Sequence, residues 1–191
     1  MIASPRPTHI SPEDYLAQEE TSPIKREYID GQVYDMAGAS DAHVTLCLNL
    51  ASALRSHVRG TGCRVYMADM KVQVEATNCF YYPDVMVTCD DRDREQTNYK
   101  KYPRLIVEVL SPTTEAFDRG DKFYDYQRLE TLQEYILIGQ TRQRLDCFRR
   151  NSEGLWVLQT YNPGDEIYLK SIDFSTSFEV LYEDVILANQ N

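Results

Sequence analysis

Apolar and polar positions change rhythm along this chain, and the changes predict its elements. Leu46, Cys47, Leu50, Leu54 and Val58 recur at helical spacing, which predicts a helix starting at Ser40 or Asp41 and ending near Val58, before Gly60-Thr61-Gly62. A shorter helix opens at Ser11, with Pro12 in its first turn and Asp14 near the capping-box position. Asp30-Gly31 inside Arg26 to Tyr34 predicts a tight hairpin. Alternation from Arg64 to Glu75 predicts one strand, and Phe80 to Thr88 a second, with Asn78 turning between them. Asp90 to Lys101 reads as a charged, solvated connection. Arg104 to Leu110 is apolar on both faces and predicts a buried strand closed by Ser111-Pro112. Asp118 caps a helix to about Leu129. Strands follow at Glu134–Gly139, Arg144–Phe148, Leu155–Tyr161 and Glu166–Leu169, the last two flanking an Asn162-Pro163-Gly164-Asp165 turn. Residues Phe178 to Ile186 suit either a strand or a helix.

This order predicts an α/β (α+β) fold with a mixed central sheet, as a single domain over residues 11–191 behind a loose segment 1–10. At 191 residues the chain is long enough for one sizeable core. Its formal charge of −10 argues against a general nucleic-acid coating protein, though not against a local basic groove. The five cysteines (Cys47, Cys63, Cys79, Cys89, Cys147) are odd in number and never CxxC, so we read them as reduced thiols in a cytoplasmic protein. No signal-peptide pattern and no apolar run of membrane-spanning length is present.

Chemistry enters through one misplaced charge. Glu108 lies in the middle of the buried run Leu105-Ile106-Val107-Glu108-Val109-Leu110, where a bare carboxylate costs several kcal/mol, on the order of 3–5, unless paired or bound to metal. Asp84 heads another apolar strand. If the two strands pair, both acids reach one divalent ion, and the Val109 carbonyl can add an oxygen. The competing reading pairs them with Arg104 or Lys71. Lys122 shares a helix face with Asp118, Tyr126 and Leu129. It either brings an ammonium to the carboxylates or snorkels to the surface. Glu27 alternates with Ile29 and serves the site or pairs with Lys25 or Arg26. His43, on the apolar face of the long helix, lines a cleft and relays protons or merely caps the helix. His9 and His57 read as surface residues, and Asp69 as an acid supporting the site or pairing on its strand. Two basic groups, one from Arg92 to Arg104 and one comprising Arg142, Arg144, Arg149 and Arg150, are candidates for phosphate contact, the second the better. There is no P-loop, GxGxxG, HExxH or GxSxG motif.

Glu27-Tyr28-Ile29-Asp30-Gly31, His43, Tyr82-Pro83-Asp84-Val85, Pro103 to Pro112, Asp118-Arg119-Gly120-Asp121-Lys122, Tyr126 and Glu134-Tyr135, in that order, resemble the Uma2 family (DUF820) of the PD-(D/E)xK superfamily, from about Ser11 to Asp184. The resemblance implies a restriction-endonuclease-like core, a mixed sheet flanked by helices with additional hairpins, and Mg²⁺-dependent phosphodiester hydrolysis. Carried over, Asp84 and Glu108 are the motif acids and Glu27 the acid from the N-terminal region. The superfamily lysine position holds Leu110 here, and Lys122 on the next helix takes its place. The expectation is an endonuclease acting on DNA, with Asp84, Glu108, Val109 and Glu27 holding Mg²⁺ or Mn²⁺, Lys122 stabilising charge and His43 relaying protons, in a homodimer. The alternative is a catalytically inactive nuclease-fold protein that binds nucleic acid or another protein. A purely structural Ca²⁺ site is a weaker third reading, because no EF-hand-type acid cluster is present.

Overall fold

The computed structural model describes residues 9–187. In chain order the elements are α1 (Pro12–Glu19), β1 (Arg26–Ile29), β2 (Gln32–Asp35), α2 (Asp41–His57), β3 (Arg64–Met67), β4 (Lys71–Val74), β5 (Cys79–Tyr81), β6 (Val85–Thr88), β7 (Tyr99–Lys100), β8 (Pro103–Leu110), α3 (Glu115–Arg119), α4 (Asp121–Tyr126), β9 (Glu134–Gly139), β10 (Leu145–Arg150), β11 (Trp156–Tyr161), β12 (Ile167–Leu169), β13 (Phe174–Thr176) and α5 (Phe178–Leu181). Among the described residues they form a six-stranded sheet in the order β11-β10-β9-β8-β6-β3, a five-stranded sheet β2-β1-β5-β4-β7, and the pair β12-β13. The larger sheet is mixed: β8 runs parallel to β9 and antiparallel to β6.

Local chemistry explains most boundaries. The Ser11 hydroxyl accepts from the Asp14 N–H, and Ser40 does the same for His43, each closing an orphan donor at a helix start. Asp30 and Gly31 both take positive φ, 43° and 90°, as a type I′ hairpin requires. Strand β8 is buried on both sides. Leu105, Val107 and Val109 join α2 in one core, while Ile106 and Leu110 join Phe123, Tyr126 and Tyr135 in another. A third cluster packs Tyr15 of α1 on Tyr28 and Phe80, ring centroids 5.1 and 5.5 Å apart, and so ties the small sheet to the N-terminal helix. The part of the loose-segment expectation covering residues 1–8 lies outside the described residues; Ile10 is anchored, donating its N–H to the Gly31 carbonyl and accepting from the Tyr28 hydroxyl.

Several expectations are corrected. The stretch from Arg64 to Glu75 is two strands in different sheets, broken where Ala68 takes φ 56°. The stretch from Phe80 to Thr88 likewise divides at Tyr82-Pro83-Asp84, with β5 in the small sheet and β6 in the large one. Alternation records which side is buried, not which sheet buries it, so both breaks are silent in the pattern. Asp118 caps no helix. It lies inside α3, and the expected single helix is two, parted at Gly120 where the backbone leaves helical values. Strand β12 pairs with β13 (Phe174–Thr176), a strand the sequence pattern did not mark. Cys63 and Cys89 are bonded to each other, because the register Arg64↔Thr88 sets the residues just outside it face to face. Cys47, Cys79 and Cys147 are free and buried. Two of the five thiols are thus removed from the argument for a reducing compartment.

The connection from Asp90 to Lys101 is not merely solvated. Asp93 is 1% exposed and accepts from the Thr88 hydroxyl (2.6 Å) and the N–H groups of Lys101 (2.8 Å) and Tyr102 (3.1 Å). Buried Lys100 donates to the Asp93 carbonyl. Asp93→Ala strands the N–H groups of Lys101 and Tyr102, while the Thr88 hydroxyl keeps the Tyr102 carbonyl, and is expected to cost about 2 kcal/mol or more in urea unfolding. A loss below about 1 kcal/mol would mean that water replaces the carboxylate.

Candidate active site

The pairing of β6 with β8 settles where the two strand acids meet. Its register matches Val85 with Val107 and Met86 with Ile106. One residue further on, Asp84 falls opposite Glu108, and opposed residues hold their Cβ atoms about 4.5–5.5 Å apart. The contacts agree: the Asp84 N–H donates to Glu108 Oε2 (3.3 Å), and the Val109 N–H donates to Asp84 Oδ2 (2.7 Å). A strand residue sends its N–H and C=O to the same edge, so the Val109 carbonyl lies on the Asp84 side. Asp84 stands just before β6, where its carbonyl accepts from the Ala68 N–H (3.1 Å) while its own N–H turns to the Glu108 carboxylate.

Lys122 completes the centre. Its ammonium lies 3.0 Å from Glu108 Oε1, 3.0 Å from Glu27 Oε1 and 3.7 Å from Asp118 Oδ1, with the side chain only 7% exposed. Aromatic packing fixes its helix: Phe123 stacks on Tyr135 at 5.0 Å and lies 4.5 Å from Phe148, while Tyr126 sits edge-on to Tyr81 and Tyr135. The Tyr126 hydroxyl donates to Glu108 Oε1 at 3.0 Å, and the Tyr135 hydroxyl to the Asp118 carbonyl at 2.9 Å. Glu27, from β1, also accepts from the Tyr82 N–H at 3.2 Å, so it braces the turn that presents Asp84. From α2, His43 Nε2 reaches Asp84 Oδ1 at 2.9 Å.

Three carboxylates (Glu27, Glu108, Asp118) thus surround one buried ammonium, a fourth, Asp84, adjoins Glu108, and the charges do not balance. Burial pushes Glu108 well above the usual carboxylate range; Lys122 opposes that rise, while Asp84, Asp118 and Glu27 add to it. Burial also raises Asp118, again against Lys122. For Lys122 burial alone would favour the neutral amine, yet Glu108, Glu27 and Asp118 outweigh it and hold the group above its ordinary value, fully charged. A centre with excess negative charge and carboxylate and carbonyl oxygens suits a hard divalent ion such as Mg²⁺ or Mn²⁺. Asp84, Glu108 and the Val109 carbonyl are the oxygen donors that the centre offers such an ion. Glu27 shares Lys122 with Glu108, so the ammonium already stands between those two acids.

Asp84, Glu108, Val109, Glu27, Lys122 and His43 are all brought together. Arg104 and Lys71 do not neutralise the acids: Lys71 donates to the Tyr82 hydroxyl, and Lys25 and Arg26 pair with Asp69 and Glu19. Asp69 is therefore an exposed pairing acid, away from the centre. His9 and His57 are as expected, although His57 contacts the Ile172 carbonyl. The better basic group is largely occupied: Arg149 holds Glu134, Arg150 holds the Gln127 and Glu130 carbonyls, and Arg144 holds Asp146. Sequence reading missed Asp118 as a member of the centre, though its spacing of four from Lys122 was the available signal. It also took Cys47 for an apolar stripe residue, whereas its sulfur lies beside His43 and Asp84.

A family model, Uma2, described as "Putative restriction endonuclease", matches residues 12–180. An uncharacterized Synechocystis protein, slr1290, is 42% identical over 173 residues, covering 91% of each chain. A second Synechocystis protein, sll1609, is 33% identical over 148 residues, covering 76% of this chain and 83% of its own. A crystal structure of a DUF820 protein from Anabaena variabilis, titled a "putative nuclease", superposes with a TM-score of 0.76 at 16% identity, covering 93% of this chain and 99% of the other. That likeness establishes the restriction-endonuclease-like fold.

Proposed function

We propose that this chain, which belongs to the Uma2 family, is a Mg²⁺- or Mn²⁺-dependent endonuclease that hydrolyses phosphodiester bonds of DNA. The observation that carries the reading is the placement of Glu108: a carboxylate 3% exposed in a central strand, bonded to the backbone of Asp84 and the ammonium of Lys122. A fold needs no such group for stability, since an apolar side chain there avoids the desolvation cost.

A bound dication supplies Lewis-acid stabilisation of the scissile phosphate and an activated water. Asp84 and Glu108 hold it, with the Val109 carbonyl as a further oxygen. Lys122 places a permanent positive charge where the phosphorane gathers negative charge, a duty that the position of Leu110 serves elsewhere in the superfamily. Glu27 keeps Lys122 aimed and braces the Asp84 turn, and its second oxygen is free to help at the ion. His43, against Asp84 Oδ1, is placed to accept and return a proton. A symmetric pair of chains supplies two such centres for the two strands of a duplex.

Mn²⁺ or Mg²⁺ at millimolar concentration is expected to raise the melting temperature by several degrees, since ligand at a hundred times its dissociation constant adds about 2.7 kcal/mol. The shift should vanish in Asp84→Ala. Affinity should also climb with pH, because the ion must displace the proton that burial favours on Glu108. Cleavage of plasmid or single-stranded DNA, dependent on the same ion, tests the activity. A chain that neither gains stability nor cuts is the inactive, nuclease-fold binding module instead.

A further inference from the structure

The centre has a second group of donors that a hard ion does not explain. We propose that His43, Cys47 and Asp84 form a site for a borderline transition ion, Zn²⁺, and that its occupancy withdraws Asp84 from the Mg²⁺ set. The second half of that statement rests on the nuclease reading; the site itself does not.

The geometry comes from α2. His43 and Cys47 are four residues apart, one helical turn, so both side chains face the turn that carries Asp84. One donor atom of each, an imidazole nitrogen, the Cys47 sulfur and a carboxylate oxygen, lies within 4.8 Å of the other two. Bonds of about 2.0–2.3 Å to one tetrahedral zinc ion set donors roughly 3.3–3.7 Å apart, so side-chain rotations that draw the widest pair in by about 1 Å complete the set. Asp84 Oδ2 is held by the Val109 N–H, which leaves Oδ1, now against His43 Nε2, as the ligand oxygen. Three protein ligands leave a fourth position for water.

Donor chemistry separates this site from its neighbour. Sulfur and imidazole favour zinc, whereas carboxylate and carbonyl oxygens favour Mg²⁺ and Mn²⁺. On binding, the sulfur–zinc bond forms, the S–H bond breaks and the proton leaves to solvent, with no change of oxidation state. The other free thiols lack such company. Cys79 has Asp125 beside it, and Cys147 faces Glu134 together with the Arg149 guanidinium, which repels a cation. Because both ions require Asp84, zinc acts as an inhibitor of the Mg²⁺-dependent reaction.

Co²⁺ replaces zinc in such sites and reports its ligands by absorption. Titrating the full chain with Co²⁺ should produce a sulfur-to-cobalt charge-transfer band in the near ultraviolet, abolished by one equivalent of Zn²⁺. Cys47→Ala should remove the band, and calorimetry should show zinc binding at least tenfold weaker in Cys47→Ala and in His43→Ala. No band in the natural chain overturns the proposal, whether or not a variant folds. A band unchanged in Cys47→Ala overturns it too, by placing the sulfur at Cys79 or Cys147. Neither readout needs cleavage. A chain that shows the band but never cuts DNA refutes the nuclease reading alone, whereas one that cuts without showing it refutes the zinc site alone.

Discussion

Glu108→Gln should lower phosphodiester cleavage by about a thousandfold or more, a loss of roughly 4 kcal/mol in transition-state stabilisation, while leaving the melting temperature unchanged or higher. The two effects separate because Gln keeps the shape and loses the charge. Its carbonyl can still accept from the Tyr126 hydroxyl and Lys122, while its amide gives up only the long 3.3 Å bond that Oε2 accepts from the Asp84 N–H. What disappears is an anion that burial disfavours. The folded protein holds the proton on Glu108 more tightly than the unfolded chain does. Stability from this group is therefore present below the unfolded carboxylate value of about 4.3 and lost as pH rises through the higher folded value. In metal-free buffer the natural protein should weaken across that window, and Glu108→Gln should weaken less. Thermal melts from pH 4 to 8 beside a cleavage assay decide the matter. A variant that still cuts at near-natural rates would remove Glu108 from the chemistry.

Lys122→Met should be the most destabilising change at the centre, by about 3–5 kcal/mol at neutral pH. Methionine fills nearly the same space, so the loss is electrostatic. Glu27, Glu108 and Asp118 would share a buried place with no cation among them. Two rescues should follow from the same cause. Lowering the pH neutralises the acids, so the deficit should shrink toward acid. Mn²⁺ should also stabilise Lys122→Met more than it stabilises the natural chain, because the ion then supplies the missing charge. Urea unfolding with and without Mn²⁺ measures both. Equal stability of the two proteins at neutral pH would show that the ammonium is not the counter-charge. Cleavage should fall in Lys122→Met even where Mn²⁺ restores the fold, since the ion does not stand where the ammonium meets the phosphate.

How far these groups could be read from the linear chain depended on the range of the interaction. Glu108 was conspicuous because burial of β8 is written in its own eight residues, and a charge inside them violates a local rule. Asp84 was suspected because Pro83 and an apolar run flank it. Lys122 had a defined helix face. Each was a property of a short window. Asp118 was misread because a capping acid and a buried acid look alike until the break at Gly120 is known. Cys47 was absorbed into the core stripe, which it does join, since a thiol on an apolar face is ordinary.

By itself, the amino-acid sequence determined the α/β character of this protein, the hairpin at Asp30-Gly31, the two capped helices, the buried strand and the family to which the motifs point. These follow from nearest-neighbour chemistry: turn residues, caps and hydrophobic period. Only the tertiary structure decided that β6 pairs with β8 in the register that opposes Asp84 to Glu108, that β3 and β4 part into separate sheets, that Cys63 meets Cys89, and that Lys122 stands between Glu27 and Glu108. Those outcomes depend on which distant segments share a face. That choice is made by the packing of the whole core, and no local pattern encodes it.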